Sequence, residues 1–193
     1  DGLTGGTGND VYLVDTTGVT VVESAGGGMD EVRTSLASYT LAAEVEYLTY
    51  TGSGNFTGNG NTLANLIQGG AGNDTLTGGG GSDTLTGAAG ADWFKFGTAD
   101  VVTGANADRI TDFVAGTDMI DVSGVDANSA VSGDQLYSFI GTSAFSGTAG
   151  QLRYAVLGDG TTHLYGDHNG DRNADFELVL TGSLSLTAAN FKL

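Results

Sequence analysis

The sequence predicts an all-β protein: a parallel solenoid of nine-residue rungs, closed by a β-rich C-terminal cap. Three observations predict it. Residues 69–96 repeat with a period of nine, reading GGAGNDTLT, GGGGSDTLT and GAAGADWFK before Phe96. Each unit splits into a glycine-rich half and a short polar-apolar-polar half, as in Thr75-Leu76-Thr77. The 193 residues include 34 glycines and no proline, far above the roughly 7% average glycine usage. A short fixed period marks a solenoid, in which each unit buries itself only against its neighbours. An open end would expose unpaired edges, so a solenoid needs a cap.

The three strong units hold their features in register. They open on Gly69, Gly78 and Gly87, carry Asp74, Asp83 and Asp92 at position six, and Leu76, Leu85 and Phe94 at position eight. Glycine reaches φ > 0 at no steric cost, so the first half suits a tight turn that aims carbonyls at one point. The aspartate adds a carboxylate. Oxygen ligands without nitrogen or sulfur describe a hard-cation site, and flexible oxygen cages suit Ca²⁺ better than Mg²⁺. The second half is a strand with one side chain inward. Two units then make one turn of a flattened coil, with rungs about 4.8 Å apart. A plain glycine-rich linker has no reason to keep apolar residues at an unbroken period of nine.

Composition excludes several classes. The formal net charge is −17 with only six Lys and Arg, which argues against a phosphate-tracking surface and so against nucleic acid. Without cysteine there is no disulfide and no thiolate chemistry. No apolar run approaches the roughly 18–20 residues of a membrane span. The acidity describes both a solvated surface and, within the repeats, carboxylates that repel one another until cations neutralise them.

In chain order, Asp1-Gly2-Leu3-Thr4 reads as positions six to nine of a unit, followed by the full unit Gly5 to Leu13 with Asp10 at its sixth position. The chain is therefore expected to be a fragment of a longer protein. The period blurs over 14–60. Val19 to Val22 and Val32 to Thr34 read as strands around a degenerate turn, Gly26 to Asp30. Ser35 to Tyr50 reads as continued β coil with a wider loop; the alternative is one helical turn at Leu41 to Glu44. Phe56 and Ile67 are expected to point inward. Gly60 to Asn65 is a decayed loop, with Asn65 in place of Asp and hence a weaker ligand. Residues 1–96 are assigned to the repeat coil and 97–193 to the cap and a secretion-signal region. Trp93 and Phe94 are read as the last rung meeting that cap.

The units match the repeats-in-toxin nonapeptide, Gly-Gly-x-Gly-x-Asp-x-apolar-x, and the chain resembles that family of calcium-binding β-rolls. From about Gly52 it also resembles the C-terminal domain of serralysin-type metalloproteases: Asp108-Arg109-Ile110-Thr111-Asp112-Phe113, Gly116 to Ser123, Phe145 to Leu152 and the ending Leu184 to Leu193. The resemblance implies a parallel β-roll binding several Ca²⁺ ions, each between loops two units apart. One site would use Asp74 and Asp92 with the carbonyls of Gly69, Ala71, Ala88 and Gly90. A second would use Asn65 and Asp83 within Gly60–Asn65 and Gly78–Asp83, a loop that includes Gly80. Asp100, Asp108, Asp112, Asp118 and Asp121 would close the last ions, and Asp10 would bind near the N-terminal end, with Asp30 as its candidate partner. Ala88 stands where the motif has its second glycine, which puts φ > 0 there in question.

A further loop, Asp167-His168-Asn169-Gly170-Asp171-Arg172-Asn173-Ala174-Asp175, places oxygen side chains at positions 1, 3, 5 and 9 and resembles most of an EF-hand loop. It departs at Arg172, where that loop has glycine, and at Leu178, where it has a bidentate Glu. A bound ion and a polar hairpin turn are both open readings.

No catalytic constellation stands out. There is no His-Glu-x-x-His and no Gly-x-Ser-x-Gly, and His163 and His168 are read as surface residues. Three functions remain: a calcium-folded module supporting type I secretion of a larger protein, a calcium-dependent structural or adhesive protein that self-assembles, and the non-catalytic tail of a secreted enzyme such as a metalloprotease. The resemblance implies calcium and the type I secretion machinery as partners, and a secreted, extracellular location that includes the cell surface under the adhesive reading.

Overall fold

The computed structural model describes residues 1–193. It is built from short β-strands, and its only helical turns are 3₁₀ segments at Thr98–Asp100, Gly104–Asn106 and Ala188–Asn190. One wall carries β1 (Gly2–Thr4), β3 (Thr20–Val22), β5 (Ser38–Thr40), β7 (Thr57–Asn59), β9 (Thr75–Thr77), β11 (Trp93–Gly97), β13 (Met119–Gly124) and β18 (Phe191–Lys192). The opposite wall carries β2 (Val11–Leu13), β4 (Glu31–Thr34), β6 (Tyr47–Tyr50), β8 (Leu66–Gly70), β10 (Thr84–Ala88) and β12 (Asp108–Ile110). All pairings within the walls are parallel. The chain thus alternates wall by wall, and two nine-residue units make one turn. On the first wall β1 and β3 form a separate two-stranded sheet, and β5 begins the six-stranded one.

The eighth-position residues fill the interior. Val32, Leu48, Ile67, Leu85 and Ile110 pair in sequence down one wall, and each has no exposed surface. Leu76, Phe94 and Ile120 do the same on the other. A fully buried aliphatic or aromatic side chain contributes about 1.5–3 kcal/mol each, which is how three-residue strands can persist. Gly58 falls at an inward position, paired with Leu76. Phe56 supplies the missing volume: a Cβ on Gly58 would lie 2.6 Å from its ring, and that ring stacks on Tyr50 with centroids 4.5 Å apart. Both expected inward residues, Phe56 and Ile67, are buried.

Ser35 to Tyr50 forms β5, a turn and β6, with Glu44 at φ 62 and no helical turn. Past Phe96 the parallel stack continues. Phe94 pairs with Leu76 on one side and Ile120 on the other, and Leu85 pairs with Ile110. The rung of Trp93 and Phe94 is therefore followed by another. The connections lengthen there, because two 3₁₀ turns are inserted before β12.

The closing strands are β14 (Ser138–Phe139), β15 (Gln151–Val156), β16 (Thr161–Asp167) and β17 (Phe176–Thr181). β17 adds parallel to β12, and β16 and β15 follow antiparallel. β18 adds to β13 at the end of the other wall, and Phe191 packs on Phe139 with ring centroids 4.9 Å apart. Both walls are thus covered at the C-terminal end.

Candidate metal centre

The loops leading into even-numbered strands stack along one edge, and those leading into odd-numbered strands along the other. Each edge carries a column of acidic or amide side chains at one structural position, just before the strand. The column before β2, β4, β6, β8 and β10 is Asp10, Asp30, Glu46, Asn65 and Asp83, and Asp108, the first residue of β12, continues it. The column before β9, β11 and β13 is Asp74, Asp92 and Asp118.

Hydrogen bonds run down these columns. Oδ1 of each aspartate accepts the backbone N–H of the residue above it. The bonds to Asp74, Asp92 and Asp83 come from Phe56, Asp74 and Asn65, at 2.8, 2.8 and 2.7 Å, each spanning 18 residues. Asp108 accepts from Asp83 at 2.8 Å and Asp118 from Asp92 at 3.0 Å across the longer connections. Asp30 accepts from Asp10, and Glu46 from Asp30, both at 2.8 Å. The second oxygen folds back on its own loop: Asp74 Oδ2 accepts from Gly70 at 2.7 Å and Asp118 Oδ2 from Val114 at 2.7 Å.

This geometry explains the opening glycine of each unit. A Cβ at Gly69, Gly78 or Gly87 would lie 2.4, 2.1 or 2.2 Å from Oδ2 of Asp74, Asp83 or Asp92. Gly78→Ala is therefore expected to destabilise by at least the ~1–3 kcal/mol of a displaced buried polar group. Gly2→Ala, where a Cβ meets nothing within 4 Å, is expected to be neutral. Chemical denaturation of the two variants checks the contrast. Gly90, at φ 140, lies equally close to the loop above: a Cβ there would be 2.0 Å from the Gly72 carbonyl. Gly80 donates to the Asn61 carbonyl at 2.9 Å. Ala71 and Ala88 are exposed at the loop surface. Ala88 does take the left-handed conformation, at φ 72, which costs an L-residue about 1–2 kcal/mol. Asp112 holds that turn, accepting from Gly87 at 3.0 Å and Ala88 at 2.7 Å.

The columns carry charge that nothing in the chain neutralises. Asp30, Asp74, Asp83, Asp92, Asp100, Asp108 and Asp118 are buried, and none forms an ion pair; the salt bridges are Arg33–Glu31, His163–Glu177 and Lys192–Asp121. Carboxylate oxygens of Asp83, Asp100 and Asp108 lie within 4.8 Å of one another. Two of them, Asp83 Oδ2 and Asp100 Oδ1, are buried without any hydrogen-bond partner. Burial, with the neighbouring carboxylates adding to it, pushes Asp83 up to about 7 and Asp108 to about 8. Burial also lifts Asp100 to about 6 and Asp92 to about 6, the latter with help from Asp118, Asp74 and Asp112. Asp74 is raised by burial too. Converging, unpartnered oxygen atoms with no nitrogen or sulfur nearby fit a hard divalent cation.

The expected residues divide accordingly. The structure brings Asp74 and Asp92 into one column, Asn65 and Asp83 into the other, and gathers Asp100 and Asp108 around Asp83. Asp118 extends the second column, and Asp112 lies off both columns, at the turn of Gly87 and Ala88. Asp121 stands apart from the expectation. It lies inside β13, where Ser123 donates to Oδ1 at 2.6 Å and Lys192 reaches Oδ2 at 3.1 Å. Burial raises its pKa, but these partners outweigh burial and hold it below the usual range.

The 167–175 segment joins the antiparallel strands β16 and β17. Asp167 accepts from Gly170 and Arg172, Asp175 from His168, Asp171 from Asn173, and Asn169 from Asp171. His168 is not a surface residue: it is buried against Tyr137, whose hydroxyl hydrogen-bonds Nε2. His163 is half-buried and bonded to Glu177 at 2.6 Å. The sequence reading missed Glu23 and Glu46, which lie outside any recognisable nonapeptide. It also missed the fifth-position asparagines, where Asn73 accepts from Ala91 and Asn55 from Asn73.

No helix is long and apolar enough to cross a membrane. Residues 3–192 match the family model described as peptidase M10 serralysin C terminal. Among solved structures, the chain is similar to the AlgE6R3 subunit of the Azotobacter vinelandii mannuronan C5-epimerase. The two are 29% identical with a TM-score of 0.56, covering 79% of this chain and 80% of that one. Among curated proteins, 74 residues, 38% of this chain, are 43% identical to the endo-1,3-1,4-beta-glycanase ExsH of Rhizobium meliloti (strain 1021). The match spans only 16% of the glycanase. With the family model matching residues 3–192, and with a β-roll of stacked parallel rungs, the chain belongs to the serralysin C-terminal family of M10 peptidases, a non-catalytic module of the repeats-in-toxin type.

Proposed function

We propose that the chain is a calcium-binding module that folds on extracellular calcium and supports type I secretion of a larger protein. One observation carries this reading: buried, mutually close carboxylates with unpartnered oxygens and no cationic side chain beside them. Burying such charge is costly unless it is paired. A divalent ion supplies the pairing, with Asp83, Asp100 and Asp108 holding one ion and the Asp74–Asp92 loops, with the carbonyls of Gly69, Ala71, Ala88 and Gly90, holding another. Asp167, Asn169, Asp171, Asn173 and Asp175 are left out of this set, because they already satisfy one another's backbone. An ion that binds only the folded state stabilises it by mass action. At the ~10⁻⁴–10⁻³ M affinity of extracellular modules, the chain would stay unfolded and exportable inside the cell and fold outside it.

The test is a calcium titration from chelator, followed by far-UV circular dichroism and light scattering together. A cooperative rise of β signal at constant particle size is expected. Growth in size with the signal would favour a self-assembling scaffold, and a fully folded chain in chelator would refute calcium-driven folding. In the double variant Asp74→Ala with Asp92→Ala the midpoint is expected to move to higher calcium; an unchanged midpoint would remove those two residues from the ligand set.

A further inference from the structure

We infer that Glu177, a residue of the closing strands and of no repeat, is the positioning residue for Asp100 and so sets how tightly the Asp83–Asp100–Asp108 cluster takes a cation. The inference rests on the calcium reading of that cluster. Asp83 and Asp108 are column residues, joined by the Asp83 N–H to Asp108 Oδ1 at 2.8 Å. Asp100 reaches them from elsewhere, on the irregular connection between β11 and β12, residues 98–107.

That connection has no strand to fix it. Its short-range bonds are the Gly97 N–H to Asp100 Oδ2 at 2.5 Å, the Val102 N–H to the Asp100 carbonyl at 2.9 Å and the Ala107 N–H to the Gly104 carbonyl at 3.1 Å. Thr103 to Asn106 are exposed. Glu177, 73 residues further on than Gly104, clasps it on both sides of Thr103. The Glu177 N–H donates to the Val102 carbonyl at 2.9 Å, and Glu177 Oε2 accepts the Gly104 N–H at 2.6 Å.

The clasp is itself held rigid. Glu177 Oε1 accepts from His163 Nδ1 at 2.6 Å, and His163 Nε2 lies 3.0 Å from the Thr161 hydroxyl. Only 11% of the Glu177 side chain is exposed. Both carboxylate oxygens are engaged, so Glu177 orients the connection and is not a ligand. The next residue, Leu178, pairs with Asp108 in the parallel ladder of β12 and β17. One strand therefore places Asp108 through its backbone and Asp100 through the Glu177 clasp. Ligands held in place beforehand lose less freedom when an ion arrives. Groups that orient metal ligands are typically worth about 10–100-fold in affinity.

Calcium isotherms of the whole chain, measured by titration calorimetry, test the assignment. Glu177→Ala is expected to weaken one ion by about 10–100-fold and leave the others as in wild type. Glu177→Gln keeps an oxygen for the Gly104 N–H and is expected to bind that ion nearly as wild type does. A Gln variant as weak as the Ala variant would mean that Glu177 acts by its charge alone, which overturns the positioning role. In an Asp100→Ala background, Glu177→Ala is expected to cost no further affinity, because the two act on one ligand; additive losses would overturn the inference. An Ala variant that binds like wild type would overturn it and leave the calcium reading intact, whereas a wild type that binds no calcium would overturn both. One measurement needs no variant to fold. In wild type at saturating calcium, the Gly104 amide is expected to exchange with solvent far more slowly than that of the exposed Gly133. Equal rates would mean that the clasp is not formed, and would overturn the inference.

Discussion

In chelator, the protein is expected to be most stable near pH 4 and to lose that stability as the pH climbs towards 8. The carboxylates of Asp83, Asp92, Asp100 and Asp108 are raised to about 7, 6, 6 and 8 in the folded chain, first by burial and then by one another. Their ordinary value is 3.8. A raised pKa means that the folded state holds its protons more tightly than the unfolded state does. Stability from these groups is therefore fully present below about pH 4 and is lost as pH rises through about 6 to 8, at about 1.4 kcal/mol per pKa unit for each group. Asp15, Asp121, Asp159 and Asp171 are lowered, so they subtract stability only as the pH falls below about 4. The two sets leave an optimum between. With several groups shifted in the same direction, the loss on the alkaline side is large against the ~5–15 kcal/mol stability of a domain. Calcium is expected to reverse the slope, because on the proposed reading it binds the ionised carboxylates and competes with protons. Thermal unfolding from pH 4 to 8, with and without calcium, checks this. A metal-free stability that rises with pH across that window would mean the acidic columns are not strained by their own charge.

Much of this arrangement was legible in the sequence, for a physical reason. The nine-residue period fixes which side chains point inward, and wherever it was unbroken the reading of Leu76, Leu85 and Phe94 as core matches their complete burial. The wall-to-wall alternation follows from the same period, as does the stacking of Asp74 on Asp92 and of Asn65 on Asp83. Where the period fails, so does the inference. Glu46 occupies a column position with no glycines before it, and Glu23 enters a cluster from the end of a strand; neither has a local pattern to announce it. The burial of His168 depends on Tyr137, brought to it across 31 residues of chain. The family resemblance groups Asp121 with the aspartates that close the last ions, but it lies within β13 and its carboxylate meets Lys192 instead. The double role that follows for the aspartates, if they hold the ion as proposed, was not legible either. Each was read as a ligand, and each is also the hydrogen-bond acceptor that ties one turn of the coil to the next.

That double role makes Asp108 the position where two substitutions should act in opposite directions. Asp108 Oδ1 accepts the Asp83 N–H at 2.8 Å, and its carboxylate is also one of three that crowd the Asp83–Asp100–Asp108 cluster. Asp108→Asn keeps an acceptor oxygen for the Asp83 amide and removes one negative charge. Without calcium this variant is expected to be more stable than wild type at about pH 7.5, since folding then costs neither a buried charge nor the uptake of a proton at this position. With calcium it is expected to gain less, since a neutral oxygen is a poorer ligand. Asp108→Ala removes the acceptor as well. It leaves a buried N–H unsatisfied, at a cost of about 1–3 kcal/mol, and is expected to be less stable than the Asn variant with and without calcium. The folded fraction by far-UV circular dichroism in chelator with a stabilising osmolyte, and melting temperatures in saturating calcium, decide the matter. If Asn and Ala behave alike in chelator, the column hydrogen bond contributes nothing. If Asn gains as much from calcium as wild type does, Asp108 is a structural residue of the column and no ligand of the ion.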